Sequence, residues 1–132
     1  VLEKNGNTVR LQADEALTVP GDPDKLARVF GNVLKNAAAY SYPDTEIVIT
    51  AEEKEGAVTL RFSNRGRTIP QEKLNSLFEK FYRLDEARTS GTGGAGLGLA
   101  IAKEIVSLHG GRITAESIDE TVTFTVTLPA QS

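Results

Sequence analysis

The chain has 132 residues, 39% of them hydrophobic, enough for one domain, spanning residues 1–132, to bury a core without staples. Its 15 basic and 18 acidic residues leave a net charge of −3, which speaks against a general nucleic-acid binder. The lack of cysteine excludes a disulfide framework and a thiolate metal site, and fits a reducing compartment without proving one. There is no run of about 18 apolar residues and no signal-peptide pattern, so the chain reads as soluble and not membrane-inserted. A start on Val1 instead of Met suggests a fragment of something larger.

Val9-Arg10-Leu11-Gln12-Ala13 alternates as a strand does, with a turn to a second strand at Leu17-Thr18-Val19. Asp22-Pro23 then opens a helix, Asp as N-cap and Pro at the first helical position. Leu26, Val29, Phe30, Val33, Leu34 and Ala37 keep the 3.6-residue period, so that face belongs to the core. Ile47 to Ala51 and Val58 to Phe62 form two strands joined through Glu55-Gly56. Pro70 begins a second helix running through Leu74, Leu77, Phe78 and Phe81. A loop rich in Gly, Ser and Thr follows, and Leu97, Ile101, Ile105 and Leu108 mark a third helix stopped by Gly110-Gly111. Two strands close the chain, Arg112 to Glu116 and Val122 to Leu128. Strands arriving in sequential pairs predict a largely antiparallel sheet with helices on one face, a two-layer α/β sandwich.

Two features carry chemistry. Gly93, Gly94, Gly96 and Gly98 crowd the entry to the third helix, where a backbone without Cβ atoms suits a close approach. Such a turn is either a packing device or, with the helix N-terminus behind it, a seat for phosphate. It has neither the Gly-Lys-Ser/Thr ending of a P-loop nor the Gly-x-Gly-x-x-Gly spacing. Asn32, Asn36 and Tyr40 form the second feature, one row at i, i+4 and i+8 on the shoulder of the apolar face of the first helix. Buried polar groups need partners. The row either caps neighbouring loops or offers amide oxygens to Mg²⁺ and an aromatic face to a base.

With both features in view, the chain resembles the catalytic, ATP-binding domain of sensor histidine kinases, relatives of the Hsp90, gyrase and MutL ATPase domains. Asn32-Val33-Leu34-Lys35-Asn36-Ala37 resembles the N box, and Asn64-Arg65-Gly66 the first glycine box. Phe78-Glu79-Lys80-Phe81-Tyr82-Arg83 resembles the F box, and Gly94-Ala95-Gly96-Leu97-Gly98-Leu99 the second glycine box, with His109-Gly110-Gly111-Arg112-Ile113 as its continuation. These motifs stand in the family's order over nearly the whole chain. The wording of 35–41 and 92–96 is similar to the vancomycin-resistance sensor kinases.

The resemblance implies a Bergerat-type fold, with three helices on one face of a mostly antiparallel mixed sheet and a flexible lid over ATP at about 84–96. It implies that Asn36 is the Mg²⁺ ligand, that Asn32 lies near the same phosphates and that Tyr40 stacks on adenine. Arg83 would reach the γ-phosphate, while Gly66, Gly94, Gly96, Leu97, Gly98 and Leu99 would line the nucleotide. Phe78 and Phe81 would pack beneath the lid.

Departures from the pattern are informative. The family's first glycine box opens with Asp, where this chain has Asn64, and Thr68 stands where a second glycine is common. A carboxylate only accepts hydrogen bonds, whereas an amide also donates, so Asn64 predicts weaker affinity and relaxed preference for adenine over guanine. Ala39 replaces the usual N-box lysine, leaving Lys35 or Arg83 to supply that charge. The turn 118–121 lacks the usual glycines and reads as a shortened hairpin without effect on chemistry. Superfamily members that hydrolyse ATP carry Glu where this chain has Asn32, an amide unable to take a proton from water, which favours transfer to an external nucleophile. The lone histidine, His109, reads as a helix-terminus residue, and the chain carries no phosphoacceptor motif.

The expected partners are therefore the dimerisation and histidine-phosphotransfer domain of the same kinase and a cognate response regulator. The isolated domain would be a monomer that autophosphorylates nothing, facing the cytoplasm in a membrane-anchored homodimer of bacterial origin. Two other readings remain: a serine kinase of the anti-sigma-factor type, and a pseudokinase serving as an interaction module.

Overall fold

The computed structural model describes residues 6–13, 21–79 and 98–129. Along the chain lie β1 (Thr8–Ala13), α1 (Pro23–Tyr40), β2 (Glu46–Lys54), β3 (Ala57–Arg65), α2 (Gln71–Leu74), α3 (Gly98–Leu108), β4 (Arg112–Ile118) and β5 (Thr121–Pro129). The strands form one sheet in the order β1-β2-β3-β5-β4. Alternation decides which face is buried. Val122, Phe124, Val126 and Leu128 of β5 point into the core, and the threonines between them lie on the other face. Ile47 and Ile49 of β2 and Val58 and Phe62 of β3 join them beneath Val29, Val33 and Ala37 of α1 and Leu99, Ala102 and Val106 of α3. Phe30 meets Phe62 edge to face at 5.2 Å. The result is the two-layer α/β sandwich that the pattern predicts.

Three strand pairs are antiparallel, and β1 lies parallel to β2, with Val9 opposite Ile47 and Leu11 opposite Ile49. A parallel pair needs a crossover, and α1 supplies it. The strand expected at Leu17-Thr18-Val19 lies outside the described residues.

Helix ends follow the sequence signals. Asp22 accepts from the backbone N–H of Asp24 at 2.9 Å and of Lys25 at 3.3 Å, with Pro23 at the first helical position. At the end of α3, the Gly110 N–H bonds the Ser107 carbonyl and the Gly111 N–H bonds the Val106 carbonyl, with Gly110 at φ 79°, a Schellman ending. His109 sits there as expected. Its Nε2 accepts from the Asp22 N–H at 3.2 Å and its Nδ1–H donates to the Ile105 carbonyl at 2.8 Å, tying the end of α3 to the start of α1.

The second helix departs from expectation. It is α-helical only over Gln71–Leu74, and the chain continues in turns. Bonds from Ser76 to Lys73, from Leu77 to Leu74 and from Glu79 to Ser76 skip three residues instead of four. Asn75 and Ser76, weak helix formers whose side chains compete for the backbone, stand at the break. Leu74, Leu77 and Phe78 still pack on the core, and Phe81 lies outside the described residues.

Candidate functional site

Three elements converge: the second half of α1, the first turn of α3 and the last residues of β3. Asn32 donates from Nδ2 to the carbonyl of Gly98 at 3.1 Å, so one N-box amide holds the start of α3. Asn36 donates from Nδ2 back to the Asn32 carbonyl at 2.9 Å. Its nitrogen is thereby committed to the helix. Gly98 sits against both residues. A Cβ there would stand 3.4 Å from the Asn36 Nδ2 and 3.9 Å from Asn32. The asparagine row and Gly98, far apart in sequence, are thus neighbours.

Asn64 ends the inward face of β3. It is 2% exposed, and neither Oδ1 nor Nδ2 has a hydrogen-bond partner among the described residues. Leaving such groups unpaired costs about 1–3 kcal/mol, so a position like this calls for a ligand or a function. Gly66 is required beside it. A Cβ at Gly66 would lie 2.1 Å from the Tyr40 carbonyl oxygen and 3.2 Å from Asn64 Nδ2. Tyr40 itself is half-buried and packs on the core. Lys35 is half-buried beside Asn36, and the position of the usual lysine is filled by buried Ala39. Leu99 is buried in the core and anchors α3. Arg83, Gly94, Gly96 and Leu97, with the expected lid at 84–96, lie outside the described residues.

Sequence reasoning missed what braces this corner. The β4–β5 turn is a two-residue one, with Asp119 at φ 51° and Glu120 at φ 61°. The Glu120 carbonyl accepts from the Gly66 N–H at 3.0 Å, and its own N–H donates to Thr68 Oγ1 at 2.9 Å. Its carboxylate accepts from the Tyr42 hydroxyl at 2.9 Å. That bond, before all else, holds the Tyr42 pKa above its ordinary value. The shortened hairpin therefore fixes the backbone of the first glycine box, and Thr68 does work a second glycine could not. Asn7 performs a similar task after α1, donating to the carbonyls of Tyr42 and Thr45, both at 3.0 Å. No sequence signal marks either brace.

The donor set is one of amides. Among the described residues no group of three or more His, Cys, Asp or Glu is placed to hold a metal ion. None of their helices is long and apolar enough to cross a membrane. A cation held here would take neutral oxygen from Asn36, and its remaining ligands from phosphate or water, as Mg²⁺ characteristically does.

Comparison with known proteins agrees with this geometry. The chain is 60% identical over 129 residues to the sensor protein VanS of Enterococcus faecium, covering 98% of this chain and 33% of that protein. It thus spans about a third of that relative's length. The catalytic domain of the histidine kinase ThkA superposes with a TM-score of 0.83 at 26% identity, covering 97% of this chain and 82% of that one. ThkA in complex with the response regulator protein TrrA superposes with a TM-score of 0.79 at 26% identity, covering 98% of this chain and 36% of that one. Residues 21–132 match the family described as histidine kinase-, DNA gyrase B-, and HSP90-like ATPases, and to that family this chain belongs.

Proposed function

We propose that the chain is the catalytic portion of a membrane-anchored bacterial sensor histidine kinase, binding Mg-ATP and passing its γ-phosphate to a histidine on a separate dimerisation domain. The observation that carries this reading is the meeting of Asn32 and Asn36 with Gly98, which places two amides beside the entry to α3. Asn36 fits a Mg²⁺ ligand because its nitrogen is engaged with the Asn32 carbonyl, leaving hard oxygen for the cation. Mg²⁺, when bound, neutralises charge on the phosphates. Asn32, Lys35 and Gly98, with Gly94, Gly96 and Leu97, bind and orient the phosphates, Arg83 stabilises the γ-phosphate, and Asn64, Gly66 and Tyr40 receive the base.

Asn32 presents no base to water, and its amide is occupied with Gly98. Transfer to an external nucleophile is therefore favoured over hydrolysis. His109 has both ring nitrogens engaged and does not serve as that nucleophile. The dimerisation domain and a cognate response regulator are the partners, VanS-like similarity points to signalling in vancomycin resistance, and the whole protein is a homodimer with this domain in the cytoplasm.

The test mixes the chain with its dimerisation domain and γ-labelled Mg-ATP. Acid-labile label on the dimerisation domain is expected, falling about 100-fold in Asn36→Ala, on the scale of losing one electrostatic contact to the transition state. Acid-stable label on a serine would replace this reading with a serine kinase. Absence of label with unaltered folding would overturn both in favour of an interaction module.

A further inference from the structure

The unpaired amide of Asn64 has a consequence for which nucleotide the site takes. We infer that this pocket is tolerant at position 6 of the purine, accepting 6-oxopurine triphosphates (GTP, ITP) alongside ATP. This rests on the reading of the site as a nucleotide pocket and concerns its base specificity.

Asn64 closes the inward face of β3 at 2% exposure, with Oδ1 and Nδ2 both lacking partners among the described residues. A carboxamide offers one acceptor and one donor side by side. The group that satisfies both at once is a planar edge carrying an adjacent donor and acceptor. Adenine presents an N6–H donor and the N1 acceptor, so Oδ1 accepts from N6–H while Nδ2 donates to N1. Guanine and hypoxanthine present the reverse, an O6 acceptor and an N1–H donor. Turning the amide over by half a rotation lets Nδ2 donate to O6 and Oδ1 accept from N1–H. The flip breaks no existing bond among the described residues, where no group bonds either end of the side chain.

The surroundings leave the choice open. Gly66, whose backbone is pinned by Glu120, presents no Cβ, and the adjacent Tyr40 carbonyl is a fixed part of α1. A carboxylate at position 64 would behave differently. It accepts from N6–H but repels O6, and a good pair of base-edge bonds discriminates between bases by roughly 10- to 100-fold.

The experiment is calorimetric titration of the 132-residue chain with the Mg²⁺ complexes of ATP, ITP, GTP and purine riboside triphosphate, which has no group at position 6. Expected are ATP and ITP dissociation constants within about tenfold of each other, with purine riboside triphosphate weaker than both. Asn64→Asp should retain ATP and lose ITP and GTP by about 10- to 100-fold relative to it. ITP and GTP more than about 100-fold weaker than ATP in the native chain would overturn the inference while leaving the nucleotide site standing. An unchanged ratio in a folded Asn64→Asp would do the same. If that variant does not fold, the four-ligand series on the native chain decides alone. No binding of any nucleotide would overturn the site and the inference together.

Discussion

The Asn32 side chain and the Gly98 carbonyl share one hydrogen bond of 3.1 Å, and through it the middle of α1 sets where α3 begins. Only a donor can occupy that position. Asn32→Asp places a carboxylate oxygen against a carbonyl oxygen and leaves both without a donor. We expect a loss of about 1–3 kcal/mol in urea unfolding. A weakened nucleotide affinity should accompany it, because the first turn of α3 is no longer held to the asparagine row.

Gly66 is irreplaceable for a steric reason. A methyl group there would stand 2.1 Å from the Tyr40 carbonyl, a backbone atom that cannot swing away. Gly66→Ala should cost about 1–3 kcal/mol, the usual range for overpacking. A fall in melting temperature of several degrees, with loss of nucleotide binding, is the result to look for.

Alkaline pH should act through Tyr42. Its hydroxyl donates to the Glu120 carboxylate, and that bond raises its pKa above the ordinary tyrosine value near 10. A raised folded-state pKa means that the native state holds the proton more tightly than the unfolded chain does. The contribution is therefore complete below about pH 10 and is lost as pH rises through the folded-state value. Denaturation midpoints at pH 8 and pH 11 should show a drop for the native chain beyond that of Tyr42→Phe. The variant should already be the less stable of the two at pH 8.

His109 offers a contrast with a phosphoacceptor. Both ring nitrogens are engaged, one by the Asp22 N–H and one with the Ile105 carbonyl. His109→Ala should lower stability by about 1 kcal/mol and leave nucleotide binding as it was. Mass spectrometry of the native chain incubated with Mg-ATP alone should find no phosphate on this residue.

How much of this was legible in the sequence depends on the range of the interaction. Asp22-Pro23 and Gly110-Gly111 announced the ends of α1 and α3 because caps are local chemistry. The apolar period of α1 announced its buried face for the same reason. Alternation in 9–13 identified a strand but not its neighbour, since the parallel pairing with β2 is decided by the crossover of α1. The helix after Pro70 looked longer than it is, because apolar spacing persists through Leu77 and Phe78 while the backbone at Asn75 and Ser76 has already left the α geometry. In the site, helical spacing singled out Asn32 and Asn36, and the family resemblance added Asn64. That Asn32 spends its amide on Gly98 could not be read from one strand of text. The bracing by Glu120 was invisible, since it joins residues more than fifty positions apart.

The two tight hairpins have matching backbones and opposite tolerance for insertion. Glu55-Gly56 and Asp119-Glu120 both place consecutive residues at positive φ. Around Gly56 there is open space, so a tag or fluorescent reporter could be spliced in there with little disturbance. At Asp119-Glu120 even one added residue would draw the Glu120 carbonyl away from Gly66 and unsettle the turn that follows Asn64. A surface loop chosen by exposure alone would be the wrong place to cut.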